Sequence, residues 1–452
     1  MPEGSDLTHE QGLHHQLTAG QMAMVALGGS IGTGLLLGSA NAISLAGPSV
    51  ILSFLLAGFI TFTVAGALGE LACAHPAAGS FGVYGDLYLN DWAGFLSRGG
   101  YWASIAVSIG SEMVASAVYM AFWFPSVPAL VWVATFSLLL LLVNLLDVGD
   151  YGRFEFWFAM VKVVTISAFI VLGAALLFGR LVAPQYTTQG GFFPLGTLAP
   201  LLAMTFAIYA FGGIEFVAVS SGEARSPNEV AKATRITFAM LVFLYIGAMA
   251  ILVGVMPWNQ AAGSESPFVT VFRSVNIPAA GHLMNFVVLT AALSGANAAL
   301  YVSSRMLFSM ARTGWAPAPL GKLNKHGSPT LALIASSYGI VVALALERWA
   351  PRDAFEFILR TAFFGMMLSW VVSLAAHFVF CRRASADEVR ALALRSPLGA
   401  WGSALGFVVI CAVILKGWWD SRVNLISGVL YLFLLTVAWW TIKRTKKHAT
   451  GS

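Results

Sequence analysis

The stretch that decides the fold is Gly28-Gly29-Ser30-Ile31-Gly32-Thr33-Gly34, which lies inside the apolar segment Met22–Leu37. Four of its seven residues are glycine, and each glycine is about 1 kcal/mol less favourable than alanine in a helix interior. We therefore expect a transmembrane helix that is interrupted here. Because unpaired backbone groups cost several kcal/mol each in lipid, such an interruption is tolerated only where it is buried in protein or lines a cavity.

The interrupted backbone would offer binding groups for a zwitterion. The amides that open the second half-helix, at Gly32, Thr33 and Gly34, carry the positive end of its dipole and suit a carboxylate. The carbonyls that end the first half-helix suit a cation. The alternative interpretation is a flexible or closely packed glycine-rich helix. A nucleotide-binding loop is excluded, because Gly-x-Gly-x-x-Gly fails at Leu37 and no Gly-Lys-Ser/Thr follows.

The composition is that of a membrane protein. Of the 452 residues, 58% are hydrophobic and only 10% are charged, against about 45–50% and 25% in soluble proteins. Apolar runs of about 20 residues, the length that spans a bilayer as a helix, recur along the chain. The three cysteines, Cys73, Cys381 and Cys411, are too few for a disulfide framework, and we expect them to be reduced.

The apolar runs predict an all-α polytopic membrane protein with twelve transmembrane helices. Residues 1–17 form a polar cytoplasmic tail without the features of a signal peptide, residues 18–442 a single transmembrane domain, and residues 443–452 a basic cytoplasmic tail. His9 and His14 in the first tail stand five residues apart, which does not fit a zinc-protease helix. The predicted spans are 18–46, 49–72, 93–122, 128–146, 154–179, 198–222, 236–256, 282–311, 330–346, 354–381, 400–416 and 423–442.

Two helices of this set are expected to be broken. Ala210-Phe211-Gly212-Gly213 in the middle of span 6 resembles Ala26-Leu27-Gly28-Gly29 in span 1. Interrupted helices at the start of each half indicate a binding site between two inverted repeats. We therefore predict a five-plus-five arrangement, with spans 1–5 in the first repeat (18–179) and spans 6–10 in the second (198–381). Spans 11 and 12 (400–442) are additions.

The distribution of basic residues predicts the orientation of the chain. With both termini in the cytoplasm, 17 of the 25 Lys and Arg residues fall on cytoplasmic segments, seven fall outside, and Lys162 lies within a span. The asymmetry favours a multi-pass membrane protein with both termini in the cytoplasm. The basic residues after Lys443 could also contact lipid head groups.

Three ionisable residues lie deep in the predicted spans and need partners there. Glu112, Lys162 and Glu215 each cost about 2.5–3.5 kcal/mol at the bilayer centre. Lys162 is predicted about eight residues, or about 12 Å, inside span 5, where the alternative is a side chain that snorkels to the surface. Glu112 could be structural or functional, and Glu215 directly follows the second break. His377 in span 10 is interpreted as a hydrogen-bonded packing residue.

The residues around the two breaks predict a pocket for a zwitterion with a neutral side chain. Ser104, Ser108, Tyr209 and Phe211 would give an apolar to mildly polar pocket lining, although Glu112 could favour a cationic side chain. Tyr209 and Phe211 flank the second break, where aromatic side chains could cover a ligand. The preferred amino acid remains open.

Together these motifs resemble the bacterial amino-acid permeases of the amino acid–polyamine–organocation superfamily. The resemblance runs from about Leu17 to Lys443. It rests on several specific segments: Gly29-Ser30-Ile31-Gly32-Thr33-Gly34-Leu35, Pro76-Ala77-Ala78-Gly79-Ser80-Phe81, Glu155-Phe156-Trp157-Phe158 with Lys162-Val163, Phe211-Gly212-Gly213-Ile214-Glu215, Gly222-Glu223-Ala224, Pro257-Trp258-Asn259, Ser266-Pro267-Phe268-Val269, the run from Asn285 to Ser294, and Arg305-Met306-Leu307.

The resemblance implies proton-coupled import of amino acids by a five-plus-five inverted-repeat carrier. It implies that Lys162 stands where related transporters bind sodium, with Ser294 of span 8 as a neighbour, so that no sodium is required. Whether Lys162, Glu112 or Glu215 carries the proton stays open. The implied substrate contacts are Ser30, Ile31, Gly32, Thr33 and Gly34 in span 1 and Tyr209, Ala210, Phe211, Gly212 and Gly213 in span 6.

Other classes of membrane protein fit the sequence less well. A channel would need a repeated filter or a charged ring, and an intramembrane enzyme would need a metal-ligand cluster or a nucleophile–base pair; the sequence indicates neither. A substrate sensor on a transporter fold and an amino-acid exchanger remain as alternatives. We expect the lipid bilayer and an amino acid as partners, and no cofactor, metal or nucleic acid. The oligomeric state is left open.

Overall fold

The computed structural model describes residues 12–36, 38–260, 267, 268, 271, 280–349 and 354–450. This part of the chain is helical apart from turns, connecting segments and one isolated bridge between Leu17 and Ala224. The α-helices are α1 (Ala19–Ser30), α2 (Thr33–Leu36), α3 (Gly38–Ala46), α4 (Val50–Ala74), α5 (Ser80–Tyr88), α6 (Asp91–Ala121), α7 (Ala129–Asn144), α8 (Val148–Phe178), α9 (Ala199–Ala210), α10 (Phe216–Ser220), α11 (Pro227–Val255), α12 (Ala280–Arg312), α13 (Thr330–Ser336), α14 (Tyr338–Trp349), α15 (Ala354–Arg383), α16 (Ala386–Ala391), α17 (Gly399–Asp420) and α18 (Arg422–Thr450).

The all-α polytopic prediction is confirmed. Among the described residues, eight helical segments are long and apolar enough to cross a bilayer, and three shorter apolar helices accompany them. The number of twelve spans and the inverted repeat stay predictions. The long segments are Gly34–Ala74, Asp91–Ala121, Val148–Phe178, Pro227–Val255, Gly281–Arg312, Phe363–Arg383, Gly399–Asp420 and Arg422–Lys446, and the shorter helices are Ala129–Asn144, Ala199–Ala210 and Thr330–Val342.

Both expected interruptions are present. The first helix stops at Ser30, and α2 begins at Thr33 after the two residues Ile31 and Gly32. The second interruption lies between α9 and α10, from Phe211 to Glu215. Gly213 in this second break has a φ of +105°, a conformation that residues with a Cβ rarely adopt. Each interruption contains glycine, Gly32 in the first and Gly212-Gly213 in the second, as the low helix propensity of this residue predicts.

The helix α8 starts earlier than the predicted span 5 that contains Lys162. The helix begins at Val148 rather than at 154, because the Asp147 side chain accepts a hydrogen bond from the Gly149 amide and caps it. Lys162 is therefore fourteen residues, about 21 Å, from the start of a 31-residue helix. Lys162 therefore lies near the middle of its helix, and its depth of about 12 Å within the bilayer stays a prediction.

The helices that carry the two breaks pack against the longest helices of the bundle. α6 runs along α12, α14 and α15, and α1 packs against α8, α11 and α12. The last two helices, α17 and α18, lie at the periphery and expose apolar side chains such as Trp419. In a bilayer these faces suit lipid. The first half-helix, α1, therefore lies inside the bundle between α8, α11 and α12.

Candidate functional site

A cavity of about 80 Å³ lies between the two helix breaks. A water molecule needs about 10–15 Å³ by the same measure, so the space holds several waters or part of a small ligand. The wall combines glycine backbone, serine hydroxyls, two carboxylates and a few apolar side chains. The lining residues are Gly29, Ser30, Gly32, Gly34, Tyr101, Ile105, Ser108, Ser111, Glu112, Tyr209, Gly212, Gly213, Glu215, Phe216, Gly295, Ala299 and Met366.

The two breaks touch each other through backbone atoms. A Cβ at position 213 would lie 2.4 Å from Ser30 Oγ and 2.7 Å from Ser30 N. A Cβ at position 29 would lie 2.2 Å from Cε2 of the Phe216 ring. Real Cβ atoms do not approach other atoms this closely, so Gly29 and Gly213 are what allow the first break to lie directly on the second.

Lys162 bonds to the carbonyl oxygens of the first break. Its Nζ donates to Gly28 O at 2.5 Å and to Ile31 O at 2.7 Å, and the side chain is buried. These contacts rule out the alternative of a lysine that snorkels to the surface. The ammonium group instead satisfies two carbonyls that the interruption leaves without helical partners, and it joins α8 to α1.

Glu155 is a buried carboxylate of this region. The sequence did not lead us to count it among the ionisable residues that lie deep in the spans. Ser294 Oγ donates to its Oε1 and Asn297 Nδ2 to its Oε2, both at 2.5 Å. The resemblance implied Ser294 as a neighbour of Lys162, and the hydrogen bond of its hydroxyl goes to Glu155. A Cβ at Gly28 would lie 2.1 Å from Glu155 Oε1, so Gly28 makes room for the carboxylate.

A sequence signal for Glu155 was available. It precedes Lys162 by seven residues, which places the two on the same face of a helix. The late predicted start of span 5 put Glu155 at the membrane surface, where a carboxylate needs no partner. With α8 beginning at Val148, the same residue lies two turns inside the helix and is buried.

The carbonyls of the first break accept hydrogen bonds from protein donors. Lys162 bonds to those of Gly28 and Ile31, as described above. Tyr245 Oη donates to Ser30 O at 2.7 Å, and the Gly32 amide donates to the same oxygen at 3.0 Å. The carbonyls expected to bind a cation from the ligand therefore have partners from the chain itself.

The two carboxylates of the cavity have different surroundings. Glu215 lies within the second break and is buried: Tyr101 Oη donates to its Oε1 at 2.6 Å, and the Gly213 amide (3.0 Å) and Trp370 Nε1 (3.2 Å) donate to its Oε2. Three donors thus fix Glu215 in place. Glu112, in the last third of α6, is half-buried and lines the cavity beside the first break, where a Cβ at Gly32 would lie 3.4 Å from its Oε1.

Only part of the predicted side-chain lining surrounds the cavity. Ser108 and Tyr209 line it, and a Cβ at Gly34 would lie 3.0 Å from the Tyr209 ring. Phe211 points away and packs against Tyr245, with 5.0 Å between ring centroids. The Ser104 hydroxyl bonds to Tyr431 Oη at 2.7 Å. The prediction that Ser104 and Phe211 line the pocket was therefore wrong.

Of the remaining predicted contacts, Gly212 forms part of the cavity wall and the others lie around the breaks. Ile31 and Ala210 are buried. The backbone of Thr33 opens α2, and its side chain lies outside the described part of the structure. Lys162 and Ser294 lie behind the first break. The substrate-binding and proton-coupling roles of all these residues stay predictions.

His377 takes part in a buried hydrogen-bond network, which fits its interpretation as a packing residue. One ring nitrogen lies 2.9 Å from Glu70 Oε2 and the other 2.6 Å from Ser403 Oγ. With Cys381 nearby, Glu70 and His377 bring three metal-ligand types within 4.8 Å of one another, a grouping that the sequence did not indicate. Because both nitrogens already have protein partners, hydrogen bonding accounts for the cluster.

A membrane bundle with two interrupted helices around a small polar cavity is the architecture of a carrier or receptor for a small zwitterion. The family model described as "Amino acid permease" matches residues 21–449. The chain therefore belongs to the amino acid permease family, which confirms the resemblance seen in the sequence. This is a family of multi-pass membrane transporters and not of enzymes.

Individual relatives cover nearly the whole chain. The uncharacterized amino acid permease YtnA of Bacillus subtilis is 34% identical over 453 residues, 98% of each chain. The aromatic amino acid transport protein AroP of Escherichia coli K12 is 36% identical over 424 residues, 92% of each chain. The protein of the same name from Salmonella typhi is 35% identical over 413 residues, 90% of each chain.

Proposed function

We propose that this protein imports amino acids across the bacterial inner membrane by alternating access, driven by protons. The observation that carries the proposal is the cavity between the two glycine breaks, together with the lysine that bonds to the backbone of the first break. Membership of the amino acid permease family supports transport of amino acids.

Lys162 is the proposed coupling residue. Its protonated ammonium group serves as a fixed cation that takes the place of a bound sodium ion, so transport needs no sodium. When the ammonium group releases its proton, the neutral amine keeps only two N–H groups and no charge, and its bonds to Gly28 O and Ile31 O weaken. The first break is then free to move relative to α8, which biases the bundle between its two states.

Glu155 is a second candidate within the same coupling unit. It lies on the same face of α8 as Lys162 and contacts the other side of Gly28. A carboxylate and an ammonium group that share one buried region titrate as a pair. The release of a proton from this region is therefore a property of the two residues together and is not assigned to either one alone. Ser294 and Asn297 hold the Glu155 carboxylate in position.

The proposed substrate is a neutral amino acid, and aromatic amino acids are the first to test. Relatives with 35–36% identity carry the name aromatic amino acid transport protein. The apolar part of the cavity wall, with Ile105, Phe216, Ala299 and Met366, suits an apolar side chain. A competition assay in which lysine or arginine outranks every neutral amino acid would contradict this proposal.

The proposed orientation has both termini in the cytoplasm. It is supported by the 17 basic residues on the segments assigned to the cytoplasm, against seven outside. A reporter fused after Lys443 should be cytoplasmic, and a reporter inserted in Arg180–Thr197 should be external. Opposite accessibility of either reporter would overturn the orientation.

Uptake by proteoliposomes tests the function. Purified protein should exchange a labelled amino acid in counterflow and accumulate it above the external concentration when the lumen is alkaline, without sodium. Lys162→Met should retain counterflow and lose the proton-driven accumulation. Lys416→Met, which changes a lysine that is 44% exposed on the peripheral helix α17, should behave as the wild type.

The other outcomes separate the alternatives. Counterflow without proton-driven accumulation in the wild type would indicate an exchanger, and binding without any flux would indicate a sensor. Accumulation by Lys162→Met equal to that of the wild type would refute the coupling role of this lysine.

A further inference from the structure

A chain of hydrogen bonds connects the end of α7 to the buried carboxylate of Glu155. Asn144, the last residue of α7, donates from its Nδ2 to Asn297 Oδ1 on α12 at 2.7 Å. Asn297 Nδ2 in turn donates to Glu155 Oε2 on α8 at 2.5 Å. Asn144 and Asn297 are only 3% and 0% exposed, so these bonds are shielded from bulk solvent. A side chain of α7 therefore reaches the proposed coupling unit through one intermediate residue.

The orientation of the Asn144 amide is fixed by a backbone carbonyl. The same Nδ2 donates to Leu140 O at 2.9 Å, one turn earlier in α7. A carbonyl oxygen can only accept a hydrogen bond, so the side-chain atom that faces it has to be the nitrogen. Asn144 Oδ1 has no hydrogen-bond partner among the described residues. The amide thus directs its donors at Leu140 and Asn297, although this leaves its own oxygen unpaired.

This orientation determines which atom Asn297 presents to Glu155. Because Asn144 offers a donor, Asn297 turns its oxygen toward α7 and its nitrogen toward the carboxylate. An amide nitrogen stabilises an ionised carboxylate, whereas a carboxyl group protonated on Oε2 would need an acceptor at this place. Ser294 gives the other carboxylate oxygen a donor as well. The side chains of α7 and α12 therefore favour the ionised form of Glu155.

Among the described residues, the charge that acts on the Glu155 carboxylate is that of Lys162, on the same face of α8. Lys162 also interacts electrostatically with Glu112. Tyr151, one turn before Glu155 on α8, is a further titratable group in range. The contacts from α1 and α12 are uncharged: a glycine, a serine and an asparagine. An anion at Glu155 attracts the ammonium group that bonds to the first break, so its ionisation influences when Lys162 gives up its proton.

We propose that Asn144 is a positioning residue for proton coupling: by orienting Asn297, it holds Glu155 ionised as the partner of Lys162. The coupling part of this inference rests on the proposed function. Asn144 does not line the cavity between the breaks, and it reaches the carboxylate only through Asn297. Loss of the Asn144 amide should therefore change the ionisation of Glu155 and leave the wall of the cavity intact.

Infrared absorption of the purified protein measures the ionisation of Glu155 directly. Protonated carboxyl groups absorb in a carbonyl band of their own, and the part of this band that is missing in Glu155→Gln belongs to Glu155. A pH titration of the wild type gives the midpoint at which that absorption disappears. In Asn297→Leu the midpoint should lie at least about one pH unit higher, because a hydrogen bond to the charged form is lost.

Asn144→Leu should move the same midpoint upward by at least about 0.5 pH unit, because the Asn297 amide is then free to turn. The double variant Asn144→Leu/Asn297→Leu should match Asn297→Leu within about 0.3 pH unit, since Asn144 acts through Asn297. Asn228→Leu makes the same exchange at an exposed position at the start of α11 and should titrate as the wild type does. In proteoliposomes, Asn144→Leu should retain counterflow and accumulate less amino acid than the wild type under a pH gradient.

The possible failures are distinguishable, because the infrared titration needs no substrate. If the wild type shows neither counterflow nor accumulation, the proposed function is overturned, and the coupling role of Asn144 with it. If the wild type transports and Asn144→Leu has the wild-type midpoint, the function stands and the inference is refuted. A double variant shifted further than Asn297→Leu, or undiminished accumulation by Asn144→Leu, refutes it as well.

A second variant covers the case in which Asn144→Leu does not fold. Asn144→Ala also lacks the donor, and alanine is the most favourable residue in a helix. It should show the same upward shift of at least about 0.5 pH unit. An unshifted midpoint in Asn144→Ala overturns the inference.

Discussion

Replacing Gly213 by alanine tests whether the two breaks must lie in direct backbone contact. The new methyl group would meet two difficulties. A φ of +105° costs a residue with a Cβ about 1–3 kcal/mol. The Cβ would also lie 2.4 Å from Ser30 Oγ and 2.7 Å from Ser30 N, and the backbone shift that relieves such overpacking costs about 1–3 kcal/mol more.

Gly196→Ala is a matched control, because it introduces the backbone strain of a positive φ without a steric clash. Gly196 has a φ of +97°, and a Cβ there would find no heavy atom within 4 Å. Both variants therefore carry backbone strain, and only Gly213→Ala forces the two breaks apart. We expect Gly213→Ala to be less stable than Gly196→Ala by about 1–3 kcal/mol, and amino-acid binding to be lost in the former and retained in the latter.

Thermal unfolding at one scan rate and equilibrium binding in detergent measure the two effects. Equal unfolding midpoints for the two variants, together with unchanged affinity in Gly213→Ala, would refute the close contact between the breaks. The larger change Gly213→Val, and likewise Gly32→Val, should abolish binding without preventing membrane insertion, because a branched side chain would fill the space between the half-helices.

Three further predictions concern the groups around the site and the coupling ion. Ser294→Ala removes one donor from the buried Glu155 and should cost about 1–3 kcal/mol in thermal stability. Arg305→Ala leaves the buried Glu223 without its ion-pair partner and should cost about 3–5 kcal/mol, whereas Arg390→Ala, in an exposed pair, should change stability by less than about 0.5 kcal/mol. Uptake under a pH gradient should be the same in sodium and in potassium buffer.

Each of these three has a contradicting result. Wild-type stability of Ser294→Ala would mean that the Glu155 carboxylate does not depend on this hydroxyl. For the ion pair, the double variant Arg305→Ala/Glu223→Ala should be more stable than Arg305→Ala alone, because it removes the uncompensated charge, and a less stable double variant would refute that explanation. Uptake that requires sodium would refute the function of Lys162 as a substitute cation.

The helix breaks could be predicted because their cause is local. Glycine disfavours helix wherever it occurs, so the cluster at Gly28–Gly34 and the pair at Gly212-Gly213 indicate interruptions without knowledge of the fold. A buried lysine needs hydrogen-bond acceptors in any fold, which is why partners were expected for Lys162; the structure places them at the first break. Both inferences need only the sequence of a single helix and the chemical properties of its residues.

The direction of individual side chains could not be predicted in the same way. Phe211 adjoins the second break in sequence, yet its ring packs against Tyr245 of α11. Ser104 faces Tyr431 of α18, more than 300 positions along the chain. Which face of a helix meets the cavity depends on how distant helices pack, and the sequence of one span does not contain that information.

A structure of the protein with its amino acid bound tests the central claim most directly. The account predicts the ligand in the cavity between the two breaks, with its carboxylate within hydrogen-bond distance of the amides near Gly32–Gly34. Lys162 should remain bonded to the backbone of the first break on the opposite side. An amino acid bound with full occupancy elsewhere in the bundle, and an empty cavity between the breaks, would contradict the account.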